Sequence, residues 1–509
     1  MSTSSISSLL SSLASGSTPT LDQLLGQSSS SSSSTSKPTS GIQDAVNAIL
    51  NSATNTSGSG IDVQSTVNAL LQIEAQPEQR LITQVNDLGT QTTALQSIQT
   101  DLTAFQTTVQ ALSDPLGAFG SVSVFSNDNS VVSATATSGA DLGTHTIQVK
   151  SLATTSAYYS KPLSSTLSSG SFDIRVGSNS QAVTVPVDSA HGTTTLNGLV
   201  SYINKNGLGV TASVLTDATG SRLSLVSQTS GAAGSLTITD STGTSGSHGM
   251  GFTQAVDSQG KALGTDASLL VDGIPVSSSS NTVTGVVPGV TLTLTGVSSS
   301  PVPISVQPNL AQVATAINSF VTAYNKVMTD INTQFKYNGT QSAPPPLLGD
   351  SSLDLLQSQL LSGITASVSG NSGLVNLQSI GIQLQVDGTL SVASASTADS
   401  TGLNDALTNN FSAVRSLFQS GSASGVAQKL NAQLTVLTST VNGPLSLDMA
   451  GINRQVADLN NQIASFQLQL QKTQTRLLAE YSQINTTLEQ MPQLLAQINS
   501  QLDALNPSK

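Results

Sequence analysis

Cysteine and tryptophan are both absent from the 509 residues. A chain without cysteine forms no disulfide and offers no thiolate to a metal, and nothing about its redox compartment follows from thiols. Charge is scarce as well. Sixteen Lys and Arg stand against 28 Asp and Glu, 9% of the chain and a net −12, where an average soluble protein carries roughly 25% charged residues. No basic stripe of the kind a phosphate backbone demands is present, so nucleic acid is not an expected partner. No run approaches the ~18 apolar residues of a membrane span. The opening MSTSSISSLLSSLASGS has neither Lys nor Arg and no apolar core of secretory length. Only three histidines occur, His145, His191 and His248, far apart and in no metal-ligand spacing. They read as isolated surface or turn residues. Phosphate loops, dinucleotide fingerprints and nucleophile elbows are missing too. No catalytic residue, metal site or cofactor is therefore expected, and the chain does not read as an enzyme.

What the chain does have is serine, threonine and apolar periodicity. Residues 1–57 are low in complexity, with seven consecutive serines from Ser28 to Ser34. Such a segment buries too little apolar surface to offset its ordering entropy and is expected to be disordered. It holds short apolar islands, at Ile6, Leu9, Leu10 and Leu13 and again at Val46, Ile49 and Leu50. The first strong helical signal follows Gly60. Asp62 is a suitable N-cap, with Ile61 before it and Val63, Val67 and Leu70 after it on one face. Pro77 predicts a break and a second helix. In that helix Leu95, Ile98, Leu102, Phe105, Val109 and Leu112 step 3-4-3-4-3, a heptad seam ended by Ser113-Asp114-Pro115.

From Ser121 to Val306 the period changes to two. Short alternating runs such as HTIQVK, FDIRV, AVTVPV and VTLTLTG are separated by Gly, Ser, Asn and Asp, which predicts antiparallel β modules, two by length. Helix returns at Leu310 and again at Leu353–Ile364. SIGIQLQVDGTLSV predicts a hairpin with a type I′ turn at Asp387-Gly388. Further helices are expected over Leu403–Phe418 and Val426–Val441. The last segment carries the longest stripe: Ile452, Val456, Leu459, Ile463, Phe466 and Leu470, then Leu477, Tyr481, Ile484, Leu488, Met491, Leu495, Ile498 and Leu502. Unbroken, it would be about 80 Å long. Thr473 and Glu480 weaken its middle, and Pro492 is expected to bend or end it.

The expected fold class is α+β and multidomain: an antiparallel coiled-coil or helical-bundle stalk built from both chain ends, with two inserted, mainly antiparallel β domains. The expected divisions are 1–57, a disordered extension; 58–118 with 307–509, the stalk, carrying a hairpin near 379–392 and a flexible terminal part, 471–509; 119–155 with 261–306, a β domain; and 156–260, an outer β domain. Leu95 to Leu112 and Ile452 to Leu470 are assigned to packing within the stalk. The segment beyond Leu470 is too long for an internal partner and is assigned, with Ile61, Val63, Val67 and Leu70, to contacts between molecules.

Several motifs in this order resemble the flagellar filament-capping, or hook-associated protein 2, family. GSGIDVQSTVNALLQIEAQPEQRL looks like its start, and DASLLVDGIPVSSSSNTVTGVVPGVTLTL looks like its strand, Asp-Gly turn and second strand. INSFVTAYNKVMTDI, LLGDSSLDLLQSQL and SIGIQLQVDGTLSV are similar to later family segments, and RLLAEYSQINTTLEQMPQLLAQINSQL to its terminal helix. The likeness covers about 60–509. Residues 155–260 carry no motif that matches, and the 57-residue serine-rich start departs from the family. The resemblance implies a secreted protein, exported unfolded without a cleaved signal, that forms a homo-oligomeric ring at the distal tip of the filament. There its legs hold the filament while flagellin folds and inserts beneath a plate of β domains. It also implies an export chaperone on Leu477 to Leu505 before secretion, and no nucleic acid or membrane partner. A flagellin-like filament subunit, and an adhesin binding surface glycans through its β domains, are the alternatives.

Overall fold

The computed structural model describes residues 62–505 except 165, 179, 241–248, 338, 340–342, 372, 394–401 and 421–423. The serine-rich start, Ile61, His248 and residues 506–509 lie outside the described residues, and the side chains of 502–505, Leu502 among them, are likewise outside.

The chain enters through α1 (Val63–Glu74) and α2 (Gln76–Ser113). Asp62 caps α1: its backbone is extended and its carboxylate accepts the amide of Ser65 at 3.1 Å. Ala75 is the joint, and Pro77 stands in the first turn of α2, where a missing N–H breaks no helical bond. At the far end the amide of Gln419 donates to the carbonyls of Leu112 and Asp114 at 2.7 and 2.8 Å, satisfying acceptors that the helix end leaves open.

Leu95, Ile98, Leu102, Phe105, Val109 and Leu112 are buried, none more than 1% exposed. Their partners are chiefly α4 (Leu310–Phe335) and α8 (Val426–Leu437), in a core that also takes in α5 (Ser351–Ile364) and the start of the last helix through Leu445 and Ile452, rather than the last helix alone as the matching heptads suggest. Phe105 meets Phe320 and Tyr324 with ring centroids 5.5 and 5.7 Å apart. Gln106 accepts the hydroxyl of Thr438 at 2.8 Å, tying α2 to the end of α8. Tyr324 is fully buried, and its hydroxyl donates to the carbonyl of Gly388 at 3.0 Å. Burial pushes its phenol well above the ordinary value.

That carbonyl belongs to the hairpin of β16 (Ile382–Leu384) and β17 (Leu390–Val392). Its turn differs from the expected type I′. Only Gly388 has positive φ, at 81°, while its amide donates to Gln385 and the amide of Gln385 to Thr389. Asp387 instead uses its carboxylate, accepting the amide and hydroxyl of Thr389 at 3.0 and 2.6 Å. The longer loop ends on a glycine bulge, and the side chain does what a second left-handed residue would have done. Two further differences concern helix ends. The segment 403–418 is two helices, α6 (Leu403–Asn409) and α7 (Phe411–Phe418), broken at Asn410, and α8 stops at Leu437 rather than at Val441. The last helix, α9 (Pro444–Leu505), runs 62 residues without ending at Pro492. Pro492 deletes one hydrogen bond on an exposed stretch, where solvent can take the orphaned carbonyl.

Between α2 and α4 lie two β units with separate cores. In the first, β1 (Val122–Ser126), β15 (Val302–Pro308), β3 (Gly143–Ser151), β11 (Ala267–Val271) and β12 (Ile274–Ser278) form an antiparallel sheet in that order. It packs on β13 (Thr282–Thr284), β14 (Val290–Leu294) and β2 (Val132–Ala136) through residues such as Ile147, Leu269 and Leu292. The type I′ turn occurs here, at Asp272 and Gly273 (φ 50° and 83°) between directly paired Val271 and Ile274. His145 is not isolated. Its Nδ1 lies 2.8 Å from Asp272, whose other oxygen accepts the amide of Thr146, and these bonds hold that carboxyl below its usual range.

The second unit joins β10 (Thr253–Gln254), β4 (Thr155–Tyr159), β8 (Gly220–Ser230) and β7 (Val210–Asp217) in one sheet, and β6 (Val183–Val187), β5 (Gly170–Val176) and β9 (Leu236–Asp240) in another. Its core also holds a helix that the period-two reading passed over, α3 (Leu196–Asn206). Thr195 caps α3, Gly207 closes it at φ 60°, and Leu199 and Ile203 are fully buried beneath it. His191, on the loop before α3, pairs with Asp188 at 2.8 Å. Among the described residues no group of three or more His, Cys, Asp or Glu could hold a metal ion.

Candidate interaction surface on the terminal helix

The first half of α2 extends past the bundle, and α9 runs back along it. Ile452 belongs to the bundle core, with Val456 packed against it. Next, Leu459 and Leu88 line a shallow groove whose polar walls are Asp87, Asp458 and three glutamines, which leaves both leucines half-buried. Ile463 is buried again. At the α1–α2 joint, Glu78 is 1% exposed and accepts a hydrogen bond from the Gln467 amide at 2.7 Å; its second oxygen has no partner among the described residues. Its place in the first turn of α2 sets the charge near the positive end of that helix.

Beyond the joint, α1 lies on α9. Val67, Leu71, Ala75 and Leu470 form a small buried cluster, against which Val63, Phe466, Leu477, Leu478 and Tyr481 pack. Because Glu78 meets Gln467 while the earlier Val63 shares a cluster with the later Tyr481, the two strands of this leg are antiparallel. Three assignments shift. Leu71, not Leu70, is the buried member of the adjacent pair, and Leu70 stays half-buried outside the cluster. Leu477 and Tyr481 have an internal partner, so cover within the chain ends near Tyr481 rather than at Leu470. Val67 is buried against the same chain's α9, and Val63 packs half-buried on that cluster. Sequence spacing alone could not choose between Leu70 and Leu71, since both fit a helical stripe.

The apolar cluster shared with α1 reaches no further along the helix than Tyr481. Ile484, Met491, Leu494, Leu495 and Ile498 are 46–55% exposed, and Leu488 is half-buried. Together they make an apolar stripe of the width that one helix presents to another. Leu494 was not singled out by the seam, although its adjacency to Leu495 marks it. From Tyr481 to Leu502 the only charged residue is Glu489, so ion pairs have little part in selecting what covers this face. An exposed stripe of this kind suits docking against a second helix or a groove.

Family models match most of the chain. That of the flagellar hook-associated protein 2 N-terminus matches residues 59–156, and that of its C-terminus matches 264–493. A flagellin hook IN motif matches 171–229, so the outer β unit does carry a recognisable motif, on β5 to β8 with α3. The B-type flagellar hook-associated protein 2 of Pseudomonas aeruginosa is 30% identical over 402 residues, 74% of this chain and 82% of that one. Flagellar hook-associated protein 2 of Campylobacter jejuni is 29% identical over 398 residues, 66% of this chain and 60% of its own. The crystal structure of the D1-D2-D3 domains of the flagellar cap protein FliD from Escherichia coli superposes with a TM-score of 0.54 at 27% identity, covering 71% of this chain and 99% of that one. With its helical leg, its two inserted β units and these matches from residue 59 to residue 493, the chain belongs to the flagellar hook-associated protein 2 family.

Proposed function

We propose that this protein caps a bacterial flagellar filament, acting outside the cell at the distal tip, and that α9 beyond Tyr481 is the part that grips. The supporting observation is the stripe from Ile484 to Ile498, which the leg's own first helix stops short of covering. A cap must hold the filament end yet let go each time a flagellin subunit is added. Contacts suited to that are several and individually weak. Each leucine or isoleucine that a partner covers contributes no more than about 1.5–3 kcal/mol, and the surrounding Gln, Asn, Thr and Ser add no ion pair that would fix one partner in place.

In this reading several copies form a ring, the β units make the plate, and the legs reach down to the filament. The same stripe is where an export chaperone would shield the chain before secretion. The test is complementation of a strain lacking the gene. The full chain should restore swimming and stop the loss of flagellin into the medium. A chain ending at Tyr481 should fold, be exported and still let flagellin escape. If the shortened chain seals filaments as well as the full one, the grip lies elsewhere.

A further inference from the structure

The root of α9 carries a carboxyl pair that the leg's contacts do not use. Asp448 stands about one turn into the helix, between Leu445 and Ile452, which are both buried in the bundle core. Facing it, Asp350 caps α5, and its Oδ1 accepts the amides of Ser352 and Leu353 at 2.8 and 3.4 Å. The hydroxyl of Ser352 lies between the two carboxyls, 2.5 Å from that same Oδ1 and 3.0 Å from Oδ2 of Asp448. All three residues are half-buried.

A serine hydroxyl has one proton to give. The shorter contact takes it, toward Asp350, whose oxygen already accepts two amides. The hydroxyl then turns a lone pair to Asp448. A lone pair repels a carboxylate, but it accepts a hydrogen bond from a carboxylic acid. The contact between α5 and α9 is therefore favourable only when Asp448 holds a proton. Burial, and after it the charge of Asp350, push the Asp448 carboxyl above its ordinary value. Other charges on the surrounding helices are engaged elsewhere. Arg454 donates to the Ala450 carbonyl of its own helix, and Lys429 of α8 reaches the carbonyl of Ser367. Lys326 of α4 holds Asp101 of α2 and Asp330, while Asp354 of α5 is exposed.

We propose that Asp350, Ser352 and Asp448 form a proton-operated clamp between α5 and the root of α9, closed when Asp448 is protonated and released when it ionises. A carboxyl raised in the folded state adds stability that is full below its unfolded value and is lost as pH rises through the folded one. Acid thus seats the leg helix on the bundle. Neutral medium loosens its first turns, while Leu445 and Ile452 keep it in place. The clamp lies at the other end of α9 from the bare stripe, so it stands or falls whether or not that stripe grips a filament.

The test is amide hydrogen exchange on the full chain, read as the protection of residues 448–452 relative to residues 102–109 in the centre of α2. Between about pH 4.5 and about pH 7.5 that ratio should fall by about tenfold in the parent. It should stay level in Asp448→Asn, whose side-chain amide can donate to Ser352 at every pH. Asp354→Asn should fall as the parent does. A parent ratio that does not change with pH overturns the proposal without recourse to any variant. So does an Asp448→Asn chain that falls like the parent, and an Asp354→Asn chain that does not fall would move the titration to the wrong acid.

Discussion

The stripe of α2 from Leu95 to Leu112 and the stripe of α9 from Ile484 to Ile498 have the same heptad spacing and opposite fates. One is the centre of a helical bundle, shut to solvent by α4, α8 and the start of α9. The other is nearly half exposed along its length. Periodicity says that a helix has an apolar face. It does not say whether anything in the same chain will cover that face. Here the deciding factor is length: α1 starts at Val63, level with Tyr481, and α9 continues to Leu505.

The contrast can be broken most forcefully at Phe105. Phe105→Ala should destabilise the helical unit by about 3–5 kcal/mol, whereas Ile498→Ala should lie within about 0.5 kcal/mol of the parent. Urea titrations of both variants measure the difference, and similar values would mean that the terminal stripe is covered after all. The border between the two regimes is at the α1–α9 contact. Gln467→Leu removes the donor to a buried carboxylate, a loss of about 1.5–3 kcal/mol, and Glu78→Gln in the same chain should recover most of it. Local hydrogen exchange in α1 reports that border better than global unfolding.

Smaller effects sharpen the buried side. Tyr324→Phe deletes the bond to Gly388 and should lower stability by about 1 kcal/mol, with the Asp387 hairpin loosening first by amide exchange. The smallest effect is one of pH. The hydroxyl and amide of Thr389 hold the Asp387 carboxyl below its ordinary 3.8. A depressed value stabilises the folded state above the unfolded one's titration, and the gain is lost as pH falls through the folded value. In Asp387→Asn the acid limb of the unfolding curve should therefore be slightly flatter below pH 4.

Much of this was legible in the chain. The N-cap at Asp62, the joint at Pro77, the seam of α2 and the alternating strands each follow from local chemistry that the surrounding fold did not override. The hairpin at Ile382–Val392 was legible as a hairpin but not as a turn type, because a side-chain hydrogen bond from Asp387 replaced a backbone conformation. Helix α3 was lost among strands because eleven residues with three buried ones give too short a period to stand out. Of the candidate surface, the stripe itself was visible, and so was its spacing.

The sequence by itself determined which faces are apolar, where helices start, and that no disulfide or thiolate site holds the chain together. Only the tertiary structure decided the partners. It gave the α2 seam chiefly to α4 and α8, with only the start of α9, chose Leu71 over Leu70, and carried internal cover on to Tyr481. The reason is that heptads are interchangeable: any apolar stripe of the right width can pack on any other. Which pair forms is settled by chain connectivity, loop length and the few polar contacts, such as Glu78 with Gln467, that a wrong pairing would leave buried and unmet.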